Sequence, residues 1–256
     1  YNENLDILVI SSRKMNEFYF IDHSTTSQEA SSHSGGNYNR GGDILYRWGN
    51  PQNYQRGNSQ DQILMSQHSV NWISDGYPGE GNIILFNNRT EEMGSEVLEL
   101  AIPYYESFLI NEGEIFLPQE PLWDYSEGSF FSNIQSGAFR LKNGNTLISI
   151  GDEATFFEID SLENLLWEYT FQGPSGQEFN GNIPRAQKYD PEYFNLPLIG
   201  DLNSDSIINI LDVVLMINII LDEDEIYHYS YIADLNEDMN IDIIDIVLLI
   251  NIIIGE

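Results

Sequence analysis

Short apolar runs punctuated by Gly, Pro, Asn and Ser dominate the chain up to about residue 195. Several alternate with a period of two, the signature of half-buried strands. They predict strands at Leu5–Ile10, Glu17–Ile21, Ile44–Trp48, Asn82–Phe86, Glu96–Ile102, Thr146–Ile150, Thr155–Ile159 and Leu165–Phe171. The runs group into three units: Leu5 to Trp48, Val70 to Leu100, and Ala138 to Tyr169. In the third, Lys142-Asn143-Gly144 predicts a tight hairpin turn, because Asn and Gly accept positive φ cheaply, and a second hairpin turns at Ser161–Asn164. Units of about 40 to 50 residues with three or four strands each suggest blades of a β-propeller, with room for about four. A β-sandwich would show the same strands without the repeat.

The pattern changes near Asn195–Gly200, where Pro197 and Gly200 break the chain. This places one domain at residues 1–195 and a second at 196–256. The second contains two apolar helical runs that are near copies, Asp212-Val-Val-Leu-Met-Ile-Asn-Ile-Ile-Leu221 and Asp245-Ile-Val-Leu-Leu-Ile-Asn-Ile-Ile-Ile254. Helical spacing groups Val213, Ile217 and Ile220 on one face, matched by Ile246, Ile250 and Ile253. Such β-branched helices are expected to pack on each other rather than stand alone.

Composition narrows the function classes. The 256 residues carry 10 basic and 41 acidic side chains, a formal charge of -31, which argues against nucleic acid or an anionic membrane as partner. Every Lys and Arg lies between Arg13 and Lys188, while residues 196–256 hold 13 acidic side chains and no Lys or Arg. There is no cysteine, so disulfide scaffolds, zinc–thiolate sites and thiol nucleophiles are out. No run reaches the roughly 18 apolar residues of a membrane span. The chain begins at Tyr1 without a leader and reads as a processed or partial product; its acidity suits an exported, periplasmic or cell-surface location.

The acidic segment has a specific pattern. Asp201, Asn203, Asp205, Ile207, Asn209 and Asp212 occupy positions 1, 3, 5, 7, 9 and 12 of a calcium loop. Asp234, Asn236, Asp238, Asn240, Asp242 and Asp245 repeat it 33 residues later. Calcium takes six to eight oxygens, and this spacing brings carboxylates, amides and the carbonyl of position 7 to one point. Two ions are expected. Position 6, usually Gly, is Ser206 or Met239, and position 12 is Asp instead of Glu. The Asp at position 12 and the loop–helix duplication resemble a type I dockerin, an all-α, EF-hand-like module. That resemblance implies calcium-dependent docking onto a cohesin-like protein through positions 10 and 11 of each loop. Here these are Ile210, Leu211, Ile243 and Ile244, apolar in place of the usual Ser or Thr.

The β domain lacks HExxH, GxSxG, P-loop and GxGxxG motifs. Its order of segments carries another resemblance. Asp6-Ile-Leu-Val-Ile-Ser-Ser-Arg13 precedes Leu45-Tyr-Arg-Trp-Gly49, Ser66-Gln67-His68, Gly81-Asn-Ile-Ile-Leu-Phe-Asn-Asn88, Ser136-Gly-Ala-Phe-Arg-Leu-Lys-Asn-Gly-Asn-Thr-Leu-Ile-Ser-Ile150 and Trp167-Glu-Tyr169. This resembles the bacterial aryl-sulfate sulfotransferase family over residues 1–190. The resemblance implies a six-bladed propeller, here partial, that moves a sulfuryl group from an aryl sulfate to a phenol. It places the sulfated histidine at His68 and a sulfuryl-binding arginine at Arg13. An imidazole is a neutral nucleophile near pH 7, and a guanidinium fork suits sulfuryl oxygens. Read without the resemblance, Arg13 is an ion-pair partner at a strand end and His68 a structural histidine.

The family's further histidines fall before Tyr1, so this chain alone is expected to show little or no transfer. The alternative function is a non-catalytic binding module anchored by its dockerin-like tail; the tail acting only as a calcium-dependent folding cap is a third. Phe130, Phe131, Trp123 and Trp167 are expected to pack between blades. Ser31–Arg40 is expected to be a loop, with a lid over the site as its second reading.

Overall fold

The computed structural model describes residues 1–103, 108–126, 130–173, 182–189, 198–221, 232–236 and 238–254. The chain separates into two compact units, Tyr1–Lys188 and Tyr189–Glu256. The expected joint at Asn195–Gly200 falls partly outside the described residues, as does His228.

The first unit is three antiparallel sheets of consecutive strands. One contains β1 (Ile7–Ser12), β2 (Glu17–Asp22) and β3 (Ile44–Trp48). The next contains β4 (His68–Trp72), β5 (Ile83–Asn87), β6 (Glu96–Leu100) and β7 (Trp123–Tyr125). The last contains β8 (Gly137–Arg140), β9 (Thr146–Ile150), β10 (Thr155–Ile159) and β11 (Leu165–Thr170). Each sheet contains one of the three sequence units, and the middle one adds β7, which lies beyond the expected Val70–Leu100. Among the described residues there are three sheets, where the length suggested about four, and they do not close into a ring.

The middle sheet carries the packing. Alternation along β5 sends Ile83 and Leu85 into a core with Phe18, Phe20, Tyr46 and Trp48 of the first sheet. Ile84 and Phe86 enter a second core with Ala138, Ile148 and Phe157 of the third. A strand buried on both faces reads as a continuous apolar run, which explains Ile83-Ile-Leu-Phe86. Strand β1 lies against β4, and β4 against β8. β4 and β8 run in the same direction, since His68 and Asn71 of β4 bond Gln135 and Ala138 in the same order. β1 runs the opposite way: Asn4 meets Asp75, while Gln67 meets Ser12. The first sheet is therefore out of step with the other two by one strand direction.

The predicted turns form. Gly144 (φ 89°) closes the β8–β9 hairpin, with Leu141 and Asn145 joined at 2.8 Å. Between β10 and β11 the Asp160 carboxylate accepts the Leu162 and Asn164 N–H groups. Two expectations change. Trp167 does not pack between sheets; it sits on solvent-facing β11, 39% exposed, with Nε1 donating to Glu158. Residues 31–40 form a loop after a one-turn helix α1 (Ser27–Ala30), and Tyr38 ties it to Leu5 and Asp22. That is the opposite end of β1 from Arg13, so it is no lid over that residue. Phe130 and Trp123 do pack against the second core.

The second unit contains α2 (Ile210–Leu221) and α3 (Ile243–Ile254), which contact each other. The expected stripe is met in part: Val213 is in the core, and Ile220, Ile246 and Ile253 pack against it. Val213, Met216 and Ile219 of α2 and Leu249 of α3 are buried, whereas Ile217 and Ile250 face outward. Both helices are apolar nearly all round, so periodicity gave little contrast from which to choose the inward face.

Candidate functional site

Three segments of the first unit meet around His68. It opens β4, and the following residues form a bulge: His68 pairs with Phe86 and Asn71 with Ile84, so β4 carries one extra residue there. Ser66 (φ 58°) and Ser69 (φ 53°) flank it in the left-handed region. Across from them, Gln135 (φ 60°) and Ser136 (φ 81°) share that strain. Bulges and strained non-glycine backbone gather where a side chain must be aimed.

Buried Gln67 ties this strand start to the β1–β2 hairpin. Its Nε2 donates to the carbonyls of Glu17 (2.8 Å) and Ser12 (3.2 Å). Arg13, on that hairpin, donates through Nη2 to the Asn133 carbonyl at 3.3 Å. The structure thus brings Arg13 and His68 into one neighbourhood, where the guanidinium charge acts on the imidazole. Burial is the largest influence on His68 and lowers its pKa below the ordinary 6.5; Arg13 adds to this, and the bond to Asn88 opposes it. Among the described residues, Arg13 Nε, Gln67 Oε1 and Gln135 Oε1 are buried without a hydrogen-bond partner. Unpaired buried donors are costly, and an Arg Nε–H left open beside a neutral imidazole suits a bound anion.

The other described histidines, His23 and His33, sit elsewhere. His23 Nδ1 meets Asp6 at 2.8 Å and His33 Nδ1 meets Asp43 at 2.6 Å, both exposed. Sequence reading did not single out Asn88 and Gln135, which both touch His68. The available signal was the Asn87-Asn88 pair ending an apolar strand, since a buried amide needs partners.

In the second unit the two candidate calcium loops repeat one hydrogen-bond pattern. Asp201 accepts the N–H groups of Asp205 (3.2 Å) and Ser206 (2.8 Å). Asp234 accepts those of Asp238 (3.2 Å) and Met239 (2.8 Å). Asp212 accepts from Leu202, Asn203 and Asn209, and Asp245 from Leu235, Asn236 and Asp242. Asn203 and Asn236 donate to Asp205 and Asp238, each at 2.9 Å. Position 9 caps each helix: Asn209 Oδ1 accepts from Leu211, and Asp242 Oδ1 from Ile244. Asp at position 12 is the third residue of the helix, and its carboxylate returns to the capping residue's N–H, the reciprocal half of a capping box.

The donors suit a hard cation. Asp201, Asp212 and Asp245 are at most 3% exposed, in a segment with no Lys or Arg, and buried carboxylates need compensating positive charge. Among the described residues, no group of three or more His, Asp or Glu side chains surrounds a point by itself. A calcium shell would therefore also use the amides of Asn203, Asn209 and Asn236 and the carbonyls of Ile207 and Asn240.

The comparison with family models matches this segment to the dockerin type I domain over residues 199–254. Residues 199–254 are a type I dockerin domain. Such domains are calcium-binding attachment modules. No curated protein matches the chain.

Within the dockerin, Ile210, Leu211, Ile243 and Ile244 are exposed. They lie in the first turns of α2 and α3, directly after the capping residues. Calcium at the loops would thus fix the helix starts that display them. No described helix of the chain is long and apolar enough to cross a membrane.

Proposed function

We propose that the protein is held to a cohesin-like partner, outside the cell or at its surface, by its calcium-loaded dockerin. The observation that supports this most strongly is the duplicated loop network ending in exposed Ile210–Leu211 and Ile243–Ile244. Two calcium ions, one per loop, order these pairs. The partner surface is apolar at their contact points, because isoleucine and leucine offer no hydrogen bond. The test is binding of the full chain to a panel of cohesin domains with calcium and with chelator. Calcium-dependent capture that is lost in Ile210→Asp/Ile243→Asp supports the reading; no capture by any cohesin sinks it.

The β unit supports a second reading, sulfuryl transfer on a partial propeller. Its support is the neutral, half-buried His68 beside Arg13 with its unpaired Nε–H. In this reading an imidazole nitrogen of His68 attacks the sulfur of an aryl sulfate. The sulfur–oxygen ester bond breaks and a phenolate leaves. A phenol then takes the sulfuryl group as the nitrogen–sulfur bond breaks, and its proton passes to the released phenolate. Arg13 binds the sulfuryl oxygens throughout. Incubation with 4-nitrophenyl sulfate, with and without a phenol, tests it in this chain and in any longer form. Nitrophenolate release that vanishes in His68→Ala supports transfer. Unchanged release in that variant rejects His68. No release from any form leaves the non-catalytic binding module as the function of the β unit.

A further inference from the structure

We infer that Asn88 is a positioning residue that locks His68 into the Nδ1–H tautomer, leaving Nε2 as its reactive nitrogen. Asn88 is fully buried, and its amide orientation has one solution. Nδ2 faces two backbone carbonyls, Ser132 at 2.8 Å and Gln135 at 3.2 Å. Carbonyls only accept, so the NH₂ end must point at them. Oδ1 is thereby turned to His68 Nδ1 at 2.7 Å. An amide oxygen cannot donate, so Nδ1 carries the proton.

The other ring nitrogen gives the same answer independently. Nε2 faces the backbone N–H of Gln135 at 3.4 Å. That group only donates, so Nε2 carries a lone pair. The opposite tautomer would set two donors against each other at Nε2 and two acceptors at Nδ1. Loop 130–136 supplies the Ser132 and Gln135 carbonyls and the Gln135 N–H, and the positive φ of Gln135 and Ser136 aims them; the backbone of Ser66 also bonds the His68 ring.

The chemical consequence rests on the sulfuryl-transfer reading. When Nε2 bonds to sulfur, the ring keeps its Nδ1 proton and becomes a sulfoimidazolium, cationic in the ring and anionic at the sulfuryl oxygens. The Asn88 carbonyl then stabilises that ring charge without removing the proton. A neutral amide suits this role, as in the Cys–His–Asn arrangement of some proteases.

The experiment is nitrogen-15 NMR of the full chain labelled at histidine, with His68 assigned from His68→Gln. The expected result is a pyrrole-type Nδ1 and a pyridine-type Nε2 above the ring's pKa. The reverse pattern, or averaged shifts, overturns the inference. Asn88→Ala is expected to average the two shifts, and Asn88→Asp to restore the Nδ1–H form. If Asn88→Ala does not fold, the wild-type spectrum still decides. Where the longer protein turns over 4-nitrophenyl sulfate, Asn88→Ala should slow it about 10- to 100-fold, the loss seen when a metal-bound histidine loses its hydrogen-bond partner. Absence of turnover with the expected spectrum rejects the transfer reading and leaves the tautomer assignment standing.

Discussion

Ile84 and Leu85 are neighbours in β5 and both fully buried, yet they belong to different cores. One packs toward the third sheet and the other toward the first. Ile84→Ala and Leu85→Ala are each expected to cost about 2–5 kcal/mol, measured by urea denaturation. Leu166→Ala on exposed β11 should cost less than about 0.5 kcal/mol. A cost at either β5 site as small as that at Leu166 would contradict the two-faced sheet.

Glu17 is a buried charge with a complete set of partners. It is 0% exposed and takes two bonds from Arg47, at 2.8 and 2.5 Å. Asn53 Nδ2 donates at 2.8 Å and the Tyr19 hydroxyl at 3.2 Å. Arg47→Ala leaves that carboxylate unpaired in the interior and should cost about 3–5 kcal/mol. Thermal and chemical denaturation of the variant should agree on a loss of that size.

Calcium should stabilise the dockerin, and chelator should lower its melting temperature, by mass action on the folded form. Ser206 (φ 66°) and Met239 (φ 69°) hold left-handed backbone that favours glycine. Met239 is also 94% exposed, so little packing is lost on its removal. Met239→Gly should gain about 1 kcal/mol in the calcium-loaded form, read from calcium titration calorimetry and melting. Asp245→Ala should abolish binding at the second loop, and Asp212→Ala at the first.

His68 should titrate below the ordinary 6.5, because burial and then Arg13 disfavour its charged form. The unfolded state therefore binds the extra proton first as pH falls. The neutral ring's contribution to stability is complete above about pH 6.5 and is lost as pH drops from there toward the lower folded pKa. His68→Gln should lose less stability than the wild type between pH 7 and pH 5. Equal losses in the two proteins would mean that the histidine is not coupled to folding.

Much of this molecule was legible in its sequence because the signals are local. The β8–β9 turn follows from Asn143-Gly144, whose backbone preference needs no distant partner. The proposed calcium donors could be named from spacing alone, since one short stretch of chain supplies every one of them. Strand boundaries also came close: β3, β9 and β10 match their predicted spans.

Other features depended on residues far apart in the chain. The inward stripe of α2 was legible only in part: Val213 and Ile220 do pack inward, but a helix apolar nearly all round has little sequence contrast, and packing selects Met216 over Ile217. Trp167 looked like core by residue type, but β11 is an edge strand that no described residue buries. His68 and Arg13 were visible as candidates through ordered motifs. Their proximity comes from Gln67 bonding the β1–β2 hairpin, and the tautomer of His68 from Asn88 and a strained loop more than 40 residues further on. Sequence by itself determined the elements and the metal-binding spacing, which are matters of backbone preference and local geometry. The tertiary structure decided which faces are buried and which nitrogen of His68 carries the proton, because burial and hydrogen-bond direction exist only between segments that folding brings together.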